Sequence, residues 1–373
     1  MAVSLSSMDV LFLVRELKFM EGAKLEKVFQ QSDSPEFLFS FHVPGRGKRF
    51  IYINLPDVLC LSSFKPVFPD TPPHFAWMLR KRLANARLQN IVQKGFERII
   101  ELDFSTRHKN FKIVIELFTP GNIILSDDDY TIREVYSHKI WSEDRKLLPK
   151  KKYSFPPVQL DPQSLSENEF NGLVSESGKD SIVKTLAIEC SLGGVYAEEA
   201  IARSGLDKTM MPKELDDERI RLLYASLQEM FNVELDPVIC NGRAYPFRLA
   251  SLDAAHCEQI SSFNDAVGRV VLAHLEREEI DMQEKEASRS SSKFEKIIKS
   301  QEAQLEGLKT AYDENQKKGE LIYKHYTAID QLLSKLKTLR QEKTWAEIKE
   351  LIKDDPVIKK IDEHNGIVQL DLE

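Results

Sequence analysis

The 373-residue sequence contains only four cysteines, Cys60, Cys190, Cys240 and Cys257, and none forms a C-x-x-C pair. That spacing gives no zinc ribbon and predicts free thiols in a reducing compartment rather than a disulfide framework. Long apolar runs are also missing. The longest near the N-terminus, 10–14, is far short of the roughly 20 residues of a membrane span. No basic stretch precedes it, as a secretory signal would require. These absences predict a cytoplasmic protein with no membrane partner. The eight histidines include no H-x-x-x-H, so no metal constellation can be read. No P-loop, G-x-G-x-x-G or G-x-S-x-G occurs either. The sequence therefore predicts no catalytic residue and no cofactor. Finally, no proline stands between residues 247 and 355, which leaves room for long unbroken helix.

What is present is charge, unevenly placed. The chain carries 52 Lys+Arg against 59 Asp+Glu, net −7. Residues 1–152 hold 24 basic and 18 acidic groups, a net of +6, which leaves −13 for the rest. Such a split flags a nucleic-acid-facing half. In the window 75–112, Arg80, Lys81, Arg82, Arg87, Lys94, Arg98, Arg107, Lys109 and Lys112 face only Glu97, Glu101 and Asp103. Arg145, Lys146, Lys150, Lys151 and Lys152 form a second cluster.

With 42% apolar and 9% aromatic residues, the chain has material for a packed core. The fold class expected is α+β. A mixed, mostly antiparallel N-terminal domain (1–155) is followed by a helical, helix-hairpin-helix region (156–258). A coiled-coil arm (259–345) and the start of a small further domain (346–373) complete the chain. In the first part, a short helix capped by Ser6 or Ser7 precedes strands at 25–29, 37–43, 50–54 and 58–61. A helix from Pro72-Pro73 to about residue 86 follows, then strands at 88–93, 98–104, 111–118 and 122–125. His74, Trp77, Met78 and Leu79 are expected to face the core, with Arg80, Lys81, Arg82 and Arg87 outward as a phosphate-tracking surface. The proline-rich stretch 149–165 reads as a linker. Helices at 182–189, 197–203 and 218–231 and a hairpin about Asn241-Gly242 come next.

Apolar residues from Phe294 to Leu336 then alternate by four and three, a heptad seam with breaks at Gln301, Asn315 and Gly319. The charged and serine-rich flanks at 284–286 and 290–292 favour an exposed coiled coil, bent or ended near Asn315 and Gly319. Its apolar seam predicts self-association, testable by light scattering across concentration. The last segment, 367–372, reads as a strand with nothing after it to pair with, as in a piece of a longer chain. In 186–206, two short helices flank a Gly193-Gly194 turn whose backbone N–H groups could hold a phosphate. Tyr196 stands where such motifs repeat a glycine. A structural hairpin without phosphate is an equal alternative. Asp9 can be read as a helix-dipole carboxylate, and Glu97 with Arg98 as a surface pair.

Several stretches together resemble one family: SSMDVLFLVREL at the start, PPHFAWMLRKRLANARLQNIVQKGFERII (72–100), TPGNIILSDDD (119–129) and SSFNDAVGRV (261–270). They are similar to the NFACT family, ribosome-associated quality-control factors of the NEMF and RqcH type. Some bacterial members are named fibronectin-binding protein FbpA. The resemblance covers essentially the whole chain. It implies a protein that binds the large ribosomal subunit carrying stalled peptidyl-tRNA. The N-terminal domain would contact tRNA and the coiled coil would reach along the subunit. Many members recruit charged tRNA, alanyl-tRNA in prokaryotes, for template-free C-terminal tailing, and the ribosome itself performs the peptide transfer. The family's tRNA-recruitment positions fall on Asp9, Glu97 and Arg98; Glu97 replaces the family's aspartate. A returning helix and a C-terminal RNA-binding domain would lie beyond residue 373. The N-terminal domain is also similar to formamidopyrimidine-DNA glycosylases, but Ala2 and Val3 stand where those enzymes carry a nucleophilic proline and a glutamate. A nucleic-acid-processing protein and a fibronectin-binding adhesin are the rival readings.

Overall fold

The structure, a computed structural model, describes residues 4–142, 145–157, 160–252, 256–352, 357–362 and 365–372, without the side chains of 286–293. Ala2 and Val3 lie outside the described residues, as do the side chains of the flanking residues 286 and 290–292. The chain divides into two compact units, 1–279 and 280–373.

The first unit opens with α1 (Ser7–Leu17), whose N-terminus carries a capping box of Ser6 and Asp9. Strands β1 (Lys24–Gln30), β2 (Glu36–Val43), β3 (Gly47–Asn54) and β4 (Val58–Ser62) follow, then α2 (His74–Arg82). Strands β5 (Arg87–Gln93), β6 (Ile99–Ser105), β7 (Asn110–Glu116), β8 (Asn122–Asp127) and β9 (Ile132–Val135) complete the run. All nine join one sheet in the order β4-β3-β2-β1-β5-β6-β7-β8-β9. Each neighbouring pair is antiparallel.

At the middle of the sheet β1 and β5 share one registered pair, Lys24 and Arg87, flanked by backbone bonds from Gly22 to Leu88, Leu88 to Ala23 and Leu25 to Ala86. Helix α2 lies against β1 and reaches Glu134 of β9 through Arg82. The Ala76 N–H donates to Gln30 Oε1 at 3.1 Å, and Arg80 Nε donates to the Val28 carbonyl at 2.6 Å. These contacts fix the helix's orientation, which differs from the expected one. Phe75, Ala76 and Leu79 are buried, while Trp77 is 47% exposed and His74 is exposed. The helix also stops at Arg82 rather than near 86, because Asn85 takes a left-handed φ of 59°.

One side of the sheet packs on α1 through Met8, Phe12 and Leu13, and this core runs on without a break into the helical part. The other side holds a smaller cluster of Ile99, Val114, Ile124, Ile132, Val135, Leu147 and Tyr153. The short strands β10 (Lys139–Ile140) and β11 (Lys146–Leu147) pair in the chain that covers it. Two carboxylates are buried on this side. Glu116 accepts from Arg145 Nη2 at 2.5 Å and from Tyr153 Oη at 2.8 Å. Glu101 accepts from Tyr130 Oη at 2.8 Å and faces Lys94 and Lys112, each at 3.4 Å.

Helices α3 (Glu167–Glu176), α4 (Ile182–Glu189), α5 (Gly193–Ser204) and α6 (Asp217–Asn232) follow. Gly193 and Gly194 open α5 rather than forming the turn between two helices; the turn is Cys190–Leu192. The reason lies in Gly193's left-handed φ of 71°, which lets the chain enter the helix directly from the turn. Strands β12 (Val238–Cys240), β13 (Arg243–Tyr245) and β14 (Cys257–Gln259) form a small sheet ordered β13-β12-β14. The expectation of four free thiols fails here. Cys240 and Cys257 lie opposite each other in register, with Cα atoms 4.3 Å apart, and form a disulfide. Seventeen residues of sequence separation conceal a contact that strand pairing creates. Cys60 and Cys190 are free and buried.

Helix α7 (Phe263–Lys324) runs for 62 residues. Its start is seated on the first unit by Glu16 of α1. That carboxylate accepts from the Phe263 and Asn264 N–H groups at 2.9 and 2.7 Å and from Asn264 Nδ2 at 2.9 Å. Asn264 Oδ1 in turn accepts from the Leu61 N–H, and a Cβ at Gly268 would stand 3.0 Å from the Leu61 carbonyl. Glu16→Ala is expected to speed amide exchange at Phe263 and Asn264 by at least tenfold, given about 1.5–3 kcal/mol for hydrogen bonds to a charged acceptor. Hydrogen exchange read by mass spectrometry checks this.

In the second unit, α7 continues as helix through Asn315 and Gly319, where a bend or end was expected, and ends at Lys324. Helix α8 (Tyr326–Glu342), α9 (Trp345–Leu351) and strands β15 (Ile358–Asp362) and β16 (Ile367–Leu370) follow. The final strand does have a partner: β16 pairs antiparallel with β15, which precedes it in the chain. Leu332, Leu336, Ile348, Ile352 and Ile361 form a small core. Phe294, Ile298, Leu305, Leu308 and Tyr312 of the heptad seam are exposed.

Candidate functional site

The N-terminus of α1, the turn between β5 and β6, and the α4–α5 turn converge on one cleft of about 400 Å³. Ser4, Ser6, Ser7, Glu97, Arg98, Ile188 and Gly193 are among the residues that line it. Gln93 ties two of these pieces together, donating from Nε2 to the carbonyls of Ser7 and Glu97, each at 2.9 Å. Gln93 was not singled out in the sequence; its only signal there was its place two residues before the glycine of the turn.

Asp9 stands just behind this cleft, 3% exposed. It accepts from the Ser6 N–H at 2.8 Å and the Ser6 hydroxyl at 2.7 Å, and its other oxygen accepts from Tyr196 Oη. Burial raises its carboxyl above the usual range, against the lowering pull of Tyr196 and Ser6. Asp9 therefore holds α1 to α5 and shapes the cleft from behind. Asp9→Ala should cost about 2–3 kcal/mol, for a lost cap and an unsatisfied buried Tyr196 hydroxyl. Thermal unfolding measures it, and Tyr196→Phe in the Asp9→Ala background should recover part of the loss.

Glu97 and Arg98 are half-buried on the cleft wall. Burial raises the Glu97 carboxyl, and the charge of Arg98 opposes that shift. Among the described residues the Arg98 guanidinium has no ion-paired carboxylate. The first turn of α5, whose Gly193 lines the cleft, also lacks a side-chain cap, which leaves its leading N–H groups without a capping side chain. An uncommitted guanidinium beside an open helix N-terminus suits an anion.

The wider basic surface is less free than its sequence suggested. Arg80 is bound to Val28, Arg82 pairs with Glu134 at 3.2 Å, and Arg87 donates to the Gly22 carbonyl at 3.0 Å. Lys94 faces Glu101, and Lys152 pairs with Asp129. Lys81, Lys150 and Lys151 are exposed. The structure thus brings Asp9, Glu97, Arg98 and Gly193 to one place and gives Arg80, Arg82 and Arg87 partners within the chain. Among the described residues, no group of His, Cys, Asp and Glu is arranged to hold a metal ion. Among the described residues, no helix is long and apolar enough to cross a membrane.

Fold and cleft together define a class: an antiparallel-sheet body sharing one core with a short-helix module and seating a long helix. A family model described as NFACT N-terminal and middle domains matches residues 6–369. The chain belongs to this NFACT family. The archaeal Rqc2 homolog aRqcH of Methanocaldococcus jannaschii is 30% identical over 389 residues, covering 98% of this chain and 57% of the relative. The Rqc2 homolog RqcH of Bacillus subtilis is 25% identical over 337 residues, covering 84% of this chain and 56% of the relative. The chain thus spans little more than half the length of either. The solved N-terminal part of the fibronectin/fibrinogen-binding protein of Streptococcus suis shares the fold. Its TM-score is 0.60 at 20% identity, over 72% of this chain and 100% of that structure.

Proposed function

We propose that this chain is the tRNA-facing part of a ribosome-associated quality-control factor. On this reading it binds the large ribosomal subunit that carries stalled peptidyl-tRNA, and it recruits tRNA for template-free tailing of the nascent chain. The ribosome forms the peptide bonds, and the chain contributes binding and positioning. The observation that carries the proposal is the cleft. It gathers Arg98, Glu97 and the Asp9-braced start of α1 against the open end of α5, and Arg98 is left free for a phosphate. Relatives named as ribosome quality control subunits support the same reading. The exposed seam of α7 belongs to it as the face of a coiled coil, with self-association readable by light scattering.

The test is co-sedimentation of the full-length protein with large subunits, followed by sequencing of the bound RNA. Arg98→Ala should leave the subunit in the pellet and remove the recruited tRNA. Unchanged tRNA recovery would refute the role given to the cleft.

A further inference from the structure

Away from the cleft, the strip formed by β1, α2 and the chain after β4 collects cations on aromatic rings. Phe29 has Lys65 Nζ at 4.4 Å, Lys27 Nζ at 5.0 Å and the Arg80 guanidinium at 5.4 Å from its ring centre, and Phe68 stacks on it at 5.5 Å. Trp77 lies one helical turn before Arg80 and Lys81 on α2. Lys81 Nζ sits 5.2 Å from the Trp77 ring, and His74 flanks it at 6.2 Å. Lys27, Lys65 and Lys81 are exposed. Among the described residues none of the three has an acidic partner within ion-pair distance. Nearby Glu26 is engaged with Lys48 and Ser40.

Arg80 is different, being half-buried and bonded to Val28. It serves as the fixed member that holds the Phe29 ring. The strip therefore offers a half-exposed indole plane with three unneutralised ammonium groups along its length. Duplex RNA presents phosphates but keeps its bases stacked inside. A lone indole gains nothing from it, whereas splayed-out bases stack on such planes. An acidic peptide would satisfy the lysines but leave the indole face without a flat partner.

We propose that the Trp77 strip is a second RNA site that takes unpaired nucleotides, with one base stacked on Trp77 and flanking phosphates on Lys27, Lys65 and Lys81. It extends the tRNA reading by adding a contact for a single-stranded segment of the RNA, and it rests on a surface separate from the Arg98 cleft.

The experiment uses the whole chain with fluorescein-labelled oligonucleotides of equal length, one single-stranded and one a blunt duplex, titrated across salt. Trp77→Ala should weaken single-strand binding by roughly five- to a hundredfold, while Trp77→Phe, which keeps a ring, should lose much less. Changing Lys27, Lys65 and Lys81 together to Gln should lower the salt slope by about two to three. Equal affinity of wild type and Trp77→Ala for the single strand would overturn the proposal. So would duplex binding as tight as single-strand binding, or the absence of any RNA binding at low salt. Arg98→Ala provides the separation. If it leaves oligonucleotide binding intact but removes tRNA from subunits, both readings stand. If it leaves tRNA recovery unchanged while Trp77→Ala still weakens the single strand, the cleft reading falls and the strip remains.

Discussion

Arg145→Ala is expected to destabilise the first unit by about 3–5 kcal/mol at neutral pH, the cost of stranding a buried charge by removing its partner. Glu116 is the group left behind. It is almost fully buried, and Arg145 and Tyr153 are its partners. Burial already raises its carboxyl above the ordinary value, and Arg145 is the strongest influence opposing that rise. Removing Arg145 lifts the folded-state value further while the unfolded value stays at the ordinary 4.5. A raised folded value makes stability fall as pH climbs from the unfolded value through the folded one. The loss should therefore be small in acid, where Glu116 is protonated in either protein, and should grow towards neutrality. Denaturant melts at several pH values would show this. Glu116→Gln in the Arg145→Ala background should recover much of the stability at pH 7 and little at low pH. A loss that does not vary with pH would place the effect in packing of the Arg145 side chain.

The second large effect is expected at Arg98. A guanidinium bound to phosphate contributes roughly 1.5–3 kcal/mol as a charge-assisted contact, so Arg98→Ala should lower tRNA occupancy by about ten- to a hundredfold. Arg98→Lys keeps the charge but loses the planar fork, so recovery should be partial. Arg98→Glu should do worse than alanine, because it sets a second carboxylate beside Glu97. Arg98→Ala and Arg98→Lys should shift the melting temperature little, since Arg98 has no ion-paired partner among the described residues. Quantitative tRNA recovery from purified large subunits, set beside thermal melts of the same variants, separates binding from folding. A melt lowered in step with occupancy would mean that Arg98 is structural.

Much of the sheet was legible because its signals are local. Alternating apolar residues marked most of its strands, and Asn241-Gly242 marked a hairpin whose left-handed φ values of 51° and 74° the structure contains. Helix α4 also stands at the expected residues. Features that depend on distant partners were not readable. Nothing in Cys240 or Cys257 announces that β14 will fold back beside β12. Nothing in the α2 sequence says that Ala76 and Arg80 will bond to Gln30 and Val28 of β1, and so the sequence alone places Trp77 and His74 on the wrong side. Helix α3 was not read because its apolar stripe is only Phe170, Leu173 and Val174, with the capping box of Ser166 and Glu169 as its main signal. For the site, the resemblance supplied Asp9, Glu97 and Arg98. It took the fold to show that Asp9 braces the cleft wall while Arg98 faces the opening, and that Gln93 pins the two together.

Helix α1 has only eleven residues, and both of its ends are engaged. The first turn, held by Asp9, forms part of the cleft, and Glu16 in the last turn holds the opening amides of α7. Between them the helix is buried on nearly every side. Mechanically it is a strut between a binding pocket and the footing of the longest helix in the chain. The same eleven residues thus carry part of the cleft wall at one end and the footing of α7 at the other, so a substitution that shifts α1 is expected to disturb both.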